Sequence, residues 1–385
     1  MRLTSAPMQG VTDRDFRQVH SKFFTPADAY YAPFLSPTAT HRLTPKELRE
    51  VLPENNVGIT LVPQLLCASA PDFVWAAGEL AAMGYGEVNL NLGCPSGTVT
   101  AKKKGSGMLE DTELLRKFLD GIFEGSAVRI SIKTRIGSSS ADEFSRLAEI
   151  FNDYPIKELC IHCRVRTQQY KGAPDLSAWE TALRVCRAPL CYNGDIFDAP
   201  SAERLLSAYP ETQAIMLGRG LAANPALIGE ISGGAALLAE RLRCFHDELF
   251  ALCKERIGCE KPLLLHMKEL WTYLPRLLIR GVGKAPEGYQ KIADRVGLSV
   301  RRLHDLYPPR PHECGIYKLR GVLWENSIAA STFAAPTQTA SQRCSPTLPR
   351  SLSCPAGSPP PCRSLTHPMR RKRQSACPRL CRSPC

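Results

Sequence analysis

Eight short apolar, strand-like segments recur between residues 2 and 234, each followed by a stretch with helical periodicity. That alternation confines the chain to a parallel α/β architecture, because successive parallel strands need a crossover and a helix supplies it. The strands are expected at Arg2–Ala6, Ala29–Pro33, Ile59–Leu65, Glu87–Leu92, Val128–Thr134, Glu158–His162, Leu190–Asn193 and Ala214–Leu217. Helix starts are legible between them. Thr12 precedes Asp15, Thr44-Pro45-Lys46-Glu47 spells a capping box with proline in the first turn, and Asp198 precedes Pro200. Leu114, Leu115, Phe118, Leu119, Ile122 and Phe123 make one helical face that Gly125 ends. Eight such units favour a closed (β/α)8 TIM barrel over an open doubly wound sheet. The first strand also lacks the G-x-G-x-x-G that a dinucleotide-binding sheet would place after it.

From about Gly234 the strand pattern ends. Leu238, Leu242, Phe245, Leu249 and Leu252 share one helical face, as do Leu263, Met267, Leu270, Leu274 and Leu278. Three parts are therefore expected: a barrel over residues 1–234, a small C-terminal helical domain over 235–325, and a disordered tail over 326–385. Charge divides along the same lines. The barrel carries 24 Lys+Arg against 26 Asp+Glu, the helical part 16 against 11 and the tail 9 against 0, so the total of +12 is −2, +5 and +9. The tail is basic and rich in Ser, Pro, Cys and Arg without apolar periodicity, which is the composition of a disordered segment. Its onset is as abrupt as an out-of-frame or read-through segment would be. The modest excess in the helical part is the one that bears on binding. Lys261, Lys268, Arg276 and Arg280 lie opposite its apolar face, with Trp271 and Tyr273 between, a mixture suited either to an RNA backbone or to an ordinary solvated face.

Ten of the 16 cysteines are scattered over the first 325 residues at no regular spacing, which reads as reduced thiols rather than a disulfide scaffold. Cys160 and Cys163 form a CxxC, but on a strand they would face opposite ways, so no metal site is expected. No apolar run has the length of a membrane span, and the first strand begins next to Met1, so a cytoplasmic protein is expected.

In a parallel barrel the chemistry gathers at the C-terminal strand ends. There the sequence places Pro7, Met8 and Gln9; Gln64; Asn91 and Cys94; Lys133 and Arg135; His162 and Arg164; Asn193, Gly194 and Asp195; and Gly218 with Arg219. Cys94 follows a sharp turn at Gly93, and Asn91 three residues earlier offers both a donor and an acceptor. Gly194 after the seventh strand and Gly218-Arg219-Gly220 after the eighth stand where barrels bind a phosphate through backbone N–H groups and an arginine. Lys133 can stabilise an anionic ring, form a Schiff base, or simply snorkel from a strand end. His162 is a donor, a base or a satisfied strand-end histidine. Lys102, Lys103 and Lys104 form a short basic run without the G-K-[ST] of a P-loop.

Taken together, APMQGVTD at the start, VPQLL at Gln64, NLNLGCP with the later KGSGML, SIKTRIG at Lys133, CIHCRVRT at His162, YNGDI at Asn193 and IMLGRGLAANP at Arg219 resemble the tRNA-dihydrouridine synthases over roughly residues 3 to 325. The resemblance implies FMN at the barrel mouth, with Pro7 and Met8 lining the isoalloxazine, Gln64 and Lys133 bonded to its polar edge, and His162 touching the flavin or its phosphate tail. It implies the phosphate on Asn193-Gly194-Asp195 and Gly218-Arg219, in agreement with the argument from fold position. It makes Cys94 the general acid that protonates uracil C5 while hydride goes to C6, and NADPH, or NADH, the reductant. Asn91 and Arg164 correspond to residues that hold the uracil of tRNA. A monomer without metal or membrane association is expected. Gln9, where many members have Glu, and Cys163-Arg164-Val165 depart from the family pattern and leave local contacts open. Three alternatives remain on the sequence alone: an FMN barrel acting on a free small molecule, an aldolase using Lys133, and a non-catalytic RNA-binding protein.

Overall fold

A computed structural model describes residues 1–274. Nine parallel segments are hydrogen-bonded in the order β3-β2-β1-β9-β8-β7-β6-β5-β4: β1 (Arg2–Ser5), β2 (Ala29–Tyr31), β3 (Leu61–Val62), β4 (Gln64–Leu65), β5 (Glu87–Leu92), β6 (Arg129–Arg135), β7 (Leu159–His162), β8 (Leu190–Asn193) and β9 (Ala214–Leu217). The two ends of that order, β3 and β4, are neighbours in sequence, separated by Pro63. They are one stave. Proline has no N–H for a ladder, so the stave breaks at that residue, pairing with β2 before it and β5 after it, while the Pro63 carbonyl accepts from Asn89 N at 2.8 Å. The parallel barrel is thereby closed from eight staves, as the sequence pattern requires.

Side chains alternate between two cores. Ala6, Ala29, Tyr31, Val62, Cys160, Cys191, Ala214 and Met216 pack inside the barrel, mostly small residues with Tyr31 and Met216 filling the rest. The larger aliphatics and Phe73, Phe118, Phe144 and Trp179 fill the layer between staves and helices. Cys160 belongs to the inner cluster and Cys163 to the outer one, so the CxxC is split between faces.

The helix starts follow their caps. Thr44 accepts from Glu47 N at 3.2 Å while Glu47 accepts from Thr44 N at 2.8 Å, and Asp198 forms a second capping box with Ser201. At the first helix, Arg14–Phe23, the cap is Asp13 rather than Thr12. Thr12 is occupied elsewhere: its hydroxyl donates to Ala6 O at 3.0 Å and accepts from Met8 N at 2.8 Å, which fixes the loop after β1.

Two further helices, Ala239–Ile257 and Glu260–Trp271, meet at Gly258, whose φ of 69° supplies the left-handed turn. Leu242, Phe245, Leu249, Leu263, Met267 and Leu270 pack with Val11, Phe16, Val19 and Phe24. The predicted apolar faces thus dock on the helix Arg14–Phe23, except that Leu238 lies at the N-cap and is 65% exposed. Arg256 adds a polar clasp, donating to Asp13 at 2.9 Å and to Asp15 at 2.5 Å, and His266 lies 3.3 Å from Asp13. Arg276, Arg280, Leu278 and the 326–385 tail lie outside the described residues. Among the described residues no helix is long and apolar enough to cross a membrane.

Candidate active site at the barrel mouth

The C-terminal stave ends enclose a cavity of about 260 Å³. Pro7, Met8, Asn91, Cys94, Lys133, His162, Asn193, Gly194, Asp195, Gly218 and Arg219 all line it, drawn from six stave ends by the barrel's closure. Gln64 and Arg164 do not. Both are completely buried behind the wall, each held by partners of its own. The sequence marked them as strand-end polar residues, but whether such a residue faces the mouth or its neighbours depends on register and loop packing.

Cys94 is half-buried at the cavity edge, on a turn held from two sides. Asn91 Oδ1 accepts from Gly93 N at 3.0 Å and Cys94 N at 2.9 Å. From the other side Ser106 donates to the Cys94 carbonyl through its N–H at 3.1 Å and its hydroxyl at 2.7 Å. Close approach explains the glycine beside it, since a Cβ on Gly105, at φ 57°, would lie 2.9 Å from that carbonyl. Arg135 completes the frame, donating to Gly93 O at 2.8 Å and to Val165 O and Gln169 O. Burial lowers the Arg135 pKa to about 10.

The opposite wall is cationic. Lys133 donates from Nζ to Asn193 Oδ1 at 2.7 Å, and Asn193 Nδ2 donates to Met216 O at 2.7 Å. Burial lowers the lysine's pKa, and Arg135 nearby adds to the effect. His162 is held well below the usual imidazole range, first by burial and then by Lys133, Arg135, Arg164 and Arg219, so it is neutral at pH 7. Its tautomer follows from its neighbour. Arg164 Nη1 lies 3.2 Å from His162 Nε2 and can only donate, so Nε2 is the acceptor and the proton sits on Nδ1.

Asp195 links two guanidiniums. Arg164 binds it through both nitrogens, at 3.0 and 2.5 Å, and Arg219 pairs with the same carboxylate. Burial alone would raise the Asp195 pKa, but hydrogen bonds and charge from Arg164 and Arg219 outweigh it and the net shift is downward. Gly194, Asp195 and Gly218 donate their backbone N–H groups to no acceptor among the described residues.

Several cavity residues were not singled out by sequence. Tyr170 lies 4.9 Å below the Arg219 guanidinium and 5.5 Å from that of Arg135, a ring between two cations at the mouth. Its place in the loop after β7 was the one available signal. Phe34, Glu269 and Tyr273 also line it, the last two from the docked helical segment.

A closed parallel barrel with a thiol, a lysine and a cluster of cations converging on one mouth is an enzyme of the (β/α)8 class. A model of the dihydrouridine synthase (Dus) family matches residues 4–271, and the chain belongs to that family. Among relatives, the probable tRNA-dihydrouridine synthase 1 of Synechocystis sp. is 30% identical over 265 residues, covering 64% of this chain and 71% of that protein. The tRNA-dihydrouridine synthase B of Proteus vulgaris is 30% identical over 233 residues, covering 60% and 70%. Among solved structures, a morphinone reductase in complex with tetrahydroNAD aligns with a TM-score of 0.43 at 16% identity, over 61% of this chain and 88% of that one.

Proposed function

We propose that this chain is a tRNA-dihydrouridine synthase that uses FMN and NADPH, or NADH, to reduce the C5=C6 bond of specific uridines, with Cys94 as proton donor. Family membership supports the activity, and a flavin and a tRNA substrate follow from it. One observation carries the assignment of roles: the Cys94 thiol and the Lys133/His162 wall line the same cavity, whose far end is made of glycines and an arginine.

The residues suit a flavin phosphate. The backbone N–H groups of Gly194, Asp195 and Gly218 have no acceptor among the described residues, and Arg219 lines the same end. The Asp195 carboxylate there is neutralised by two arginines, leaving the triad a net cation. Lys133 and the His162 Nδ1–H provide donors for the polar edge of the ring, with Pro7 and Met8 along its face. When bound, the flavin supplies the hydride.

Cys94 supplies the proton. A thiol carries a proton that it can deliver to C5 as hydride arrives at C6. The locked turn keeps Sγ at the cavity edge rather than in the core. Asn91 and Arg164 then act one step back, Asn91 by holding that turn and Arg164 by holding Asp195. The uridine must leave the folded tRNA to reach the cavity, and the docked helices Ala239–Ile257 and Glu260–Trp271, with Lys261 and Lys268 exposed, hold the rest of the molecule.

Anaerobic reoxidation of the reduced flavoprotein by unmodified tRNA transcript tests this reading. Dihydrouridine should form as flavin reoxidises, and Cys94→Ala should slow the step about 100-fold or more with flavin content unchanged. A protein that takes up no flavin, or that reduces free uracil and leaves tRNA untouched, would overturn it.

A further inference from the structure

Behind the Cys94 turn, four polar side chains form one continuous chain across three staves. Asn91 Nδ2 donates to Gln64 Oε1 at 2.8 Å, Gln64 Nε2 to Asn89 Oδ1 at 2.7 Å, and Asn89 Nδ2 to Ser131 Oγ at 2.9 Å. Register brings them together: Gln64 is opposite Asn89, Asn89 is opposite Ser131, and Asn89 and Asn91 share a face of β5. Gln64 and Ser131 are wholly buried and Asn89 nearly so.

The direction of this chain has no freedom. The N–H groups of Gly93 and Cys94 can only donate, which fixes Asn91 Oδ1 toward them and its Nδ2 toward Gln64. Gln64 must then present its oxygen to Asn91 and its nitrogen to Asn89. Reversing any one amide sets donor against donor inside the barrel, where no water competes for either.

We infer that Asn89 and Gln64 are positioning residues for the Cys94 thiol: they hold Asn91 in the one orientation that locks the turn. This rests on the reading of Cys94 as the proton donor. Asn89 is the residue that completes the polarity, because its Oδ1 accepts from the Gln64 nitrogen that the Asn91 amide turns away from itself. In Asn89→Leu the buried Gln64 Nε2 loses its acceptor and can regain one only by moving away from Asn91, so the hold on Asn91 weakens and the turn loosens. In Asn89→Asp one carboxylate oxygen still accepts from Gln64 while the Ser131 hydroxyl rotates to donate to the other, so the orientation survives.

The test uses the full-length flavoprotein and two readouts. In Asn89→Leu the rate of flavin reoxidation by saturating tRNA should fall about tenfold, equal to about 1.4 kcal/mol of transition-state stabilisation, with KM for tRNA and flavin content unchanged. Hydrogen exchange in the peptide containing Gly93 and Cys94 should accelerate about as much. Asn89→Asp should restore both within about twofold. If the leucine variant does not fold, Ser131→Ala, which removes only the far partner of Asn89, should move both readouts in the same direction. Unchanged exchange and rate in the folded variants, or an aspartate that fails to rescue, would overturn the inference. Failure of the acid assignment is distinguishable: Cys94→Ala would then keep its rate, whereas exchange at the turn would still respond to Asn89.

Discussion

Replacing Asp195 with asparagine removes one charge and keeps the shape, which isolates what the carboxylate does between Arg164 and Arg219. Arg164 is completely buried, and its other acceptors are His162 Nε2 and the Gly172 carbonyl at 2.6 Å. Truncating one partner of a buried ion pair costs about 3–5 kcal/mol because the remaining charge is stranded. Asp195 is partly open, with its side chain 31% exposed, and asparagine still offers one acceptor, so about 2 kcal/mol is expected at pH 7. The pH dependence has a definite sign. The folded-state pKa of Asp195 lies below its ordinary value of 3.8, so its contribution is complete above that value and is lost as pH falls through the folded pKa. Urea unfolding followed by circular dichroism should therefore give a parent-minus-variant gap that is constant from about pH 7 to about pH 5 and narrows below about pH 4. Saturating FMN should leave the gap no smaller at pH 7 if the phosphate needs Arg219 held in place, since the variant then also binds it less well. A gap under about 0.5 kcal/mol at pH 7, or one that persists undiminished below pH 4, would refute the account of this triad.

Three other outcomes follow from the geometry. Lys133→Met should fold, because an apolar side chain replaces a desolvated ammonium, yet retain flavin about tenfold less tightly through loss of a charged donor; FMN titration by fluorescence measures it. Gly107→Ala should destabilise by about 1–3 kcal/mol, since its Cβ would lie 2.6 Å from the Thr100 carbonyl oxygen, and thermal unfolding should show this with flavin bound or removed. Arg256→Ala removes the clasp but leaves Asp15 with Arg14 and Asp13 with His266, and should cost about 1–2 kcal/mol, seen as earlier proteolytic cleavage between residues 239 and 271 than elsewhere in the chain.

The barrel was legible because hydrophobic runs and caps are local. All eight staves lie where the pattern puts them, and the Thr44 and Asp198 capping boxes form as spelled. Pro63 was visible too, but that it divides a stave between two neighbours depends on closure of the ring. The cap moved from Thr12 to Asp13 because Thr12 is drawn to Ala6 and Met8, partners set by the loop rather than by the helix. The site shows the same division. Residues attached directly to stave ends, such as Cys94, Lys133, His162 and Asn193, could be placed at the mouth from their position alone. Gln64 and Arg164 could not be told apart from them, since each is turned inward by a distant partner, Asn89 on β5 in one case and Asp195 in the loop after β8 in the other. Tyr170 belongs to a loop with no periodicity to read.

The clasp on Asp13 and Asp15 ties the docked helices to the same short loop that ends in the cavity wall. Met8 faces the cavity, Thr12 is bonded back to it, and Asp13 is gripped by Arg256. Grip and pocket thus lie at the two ends of one six-residue segment, Met8–Asp13. A displacement of the docked helices would therefore pull on the loop that carries Met8.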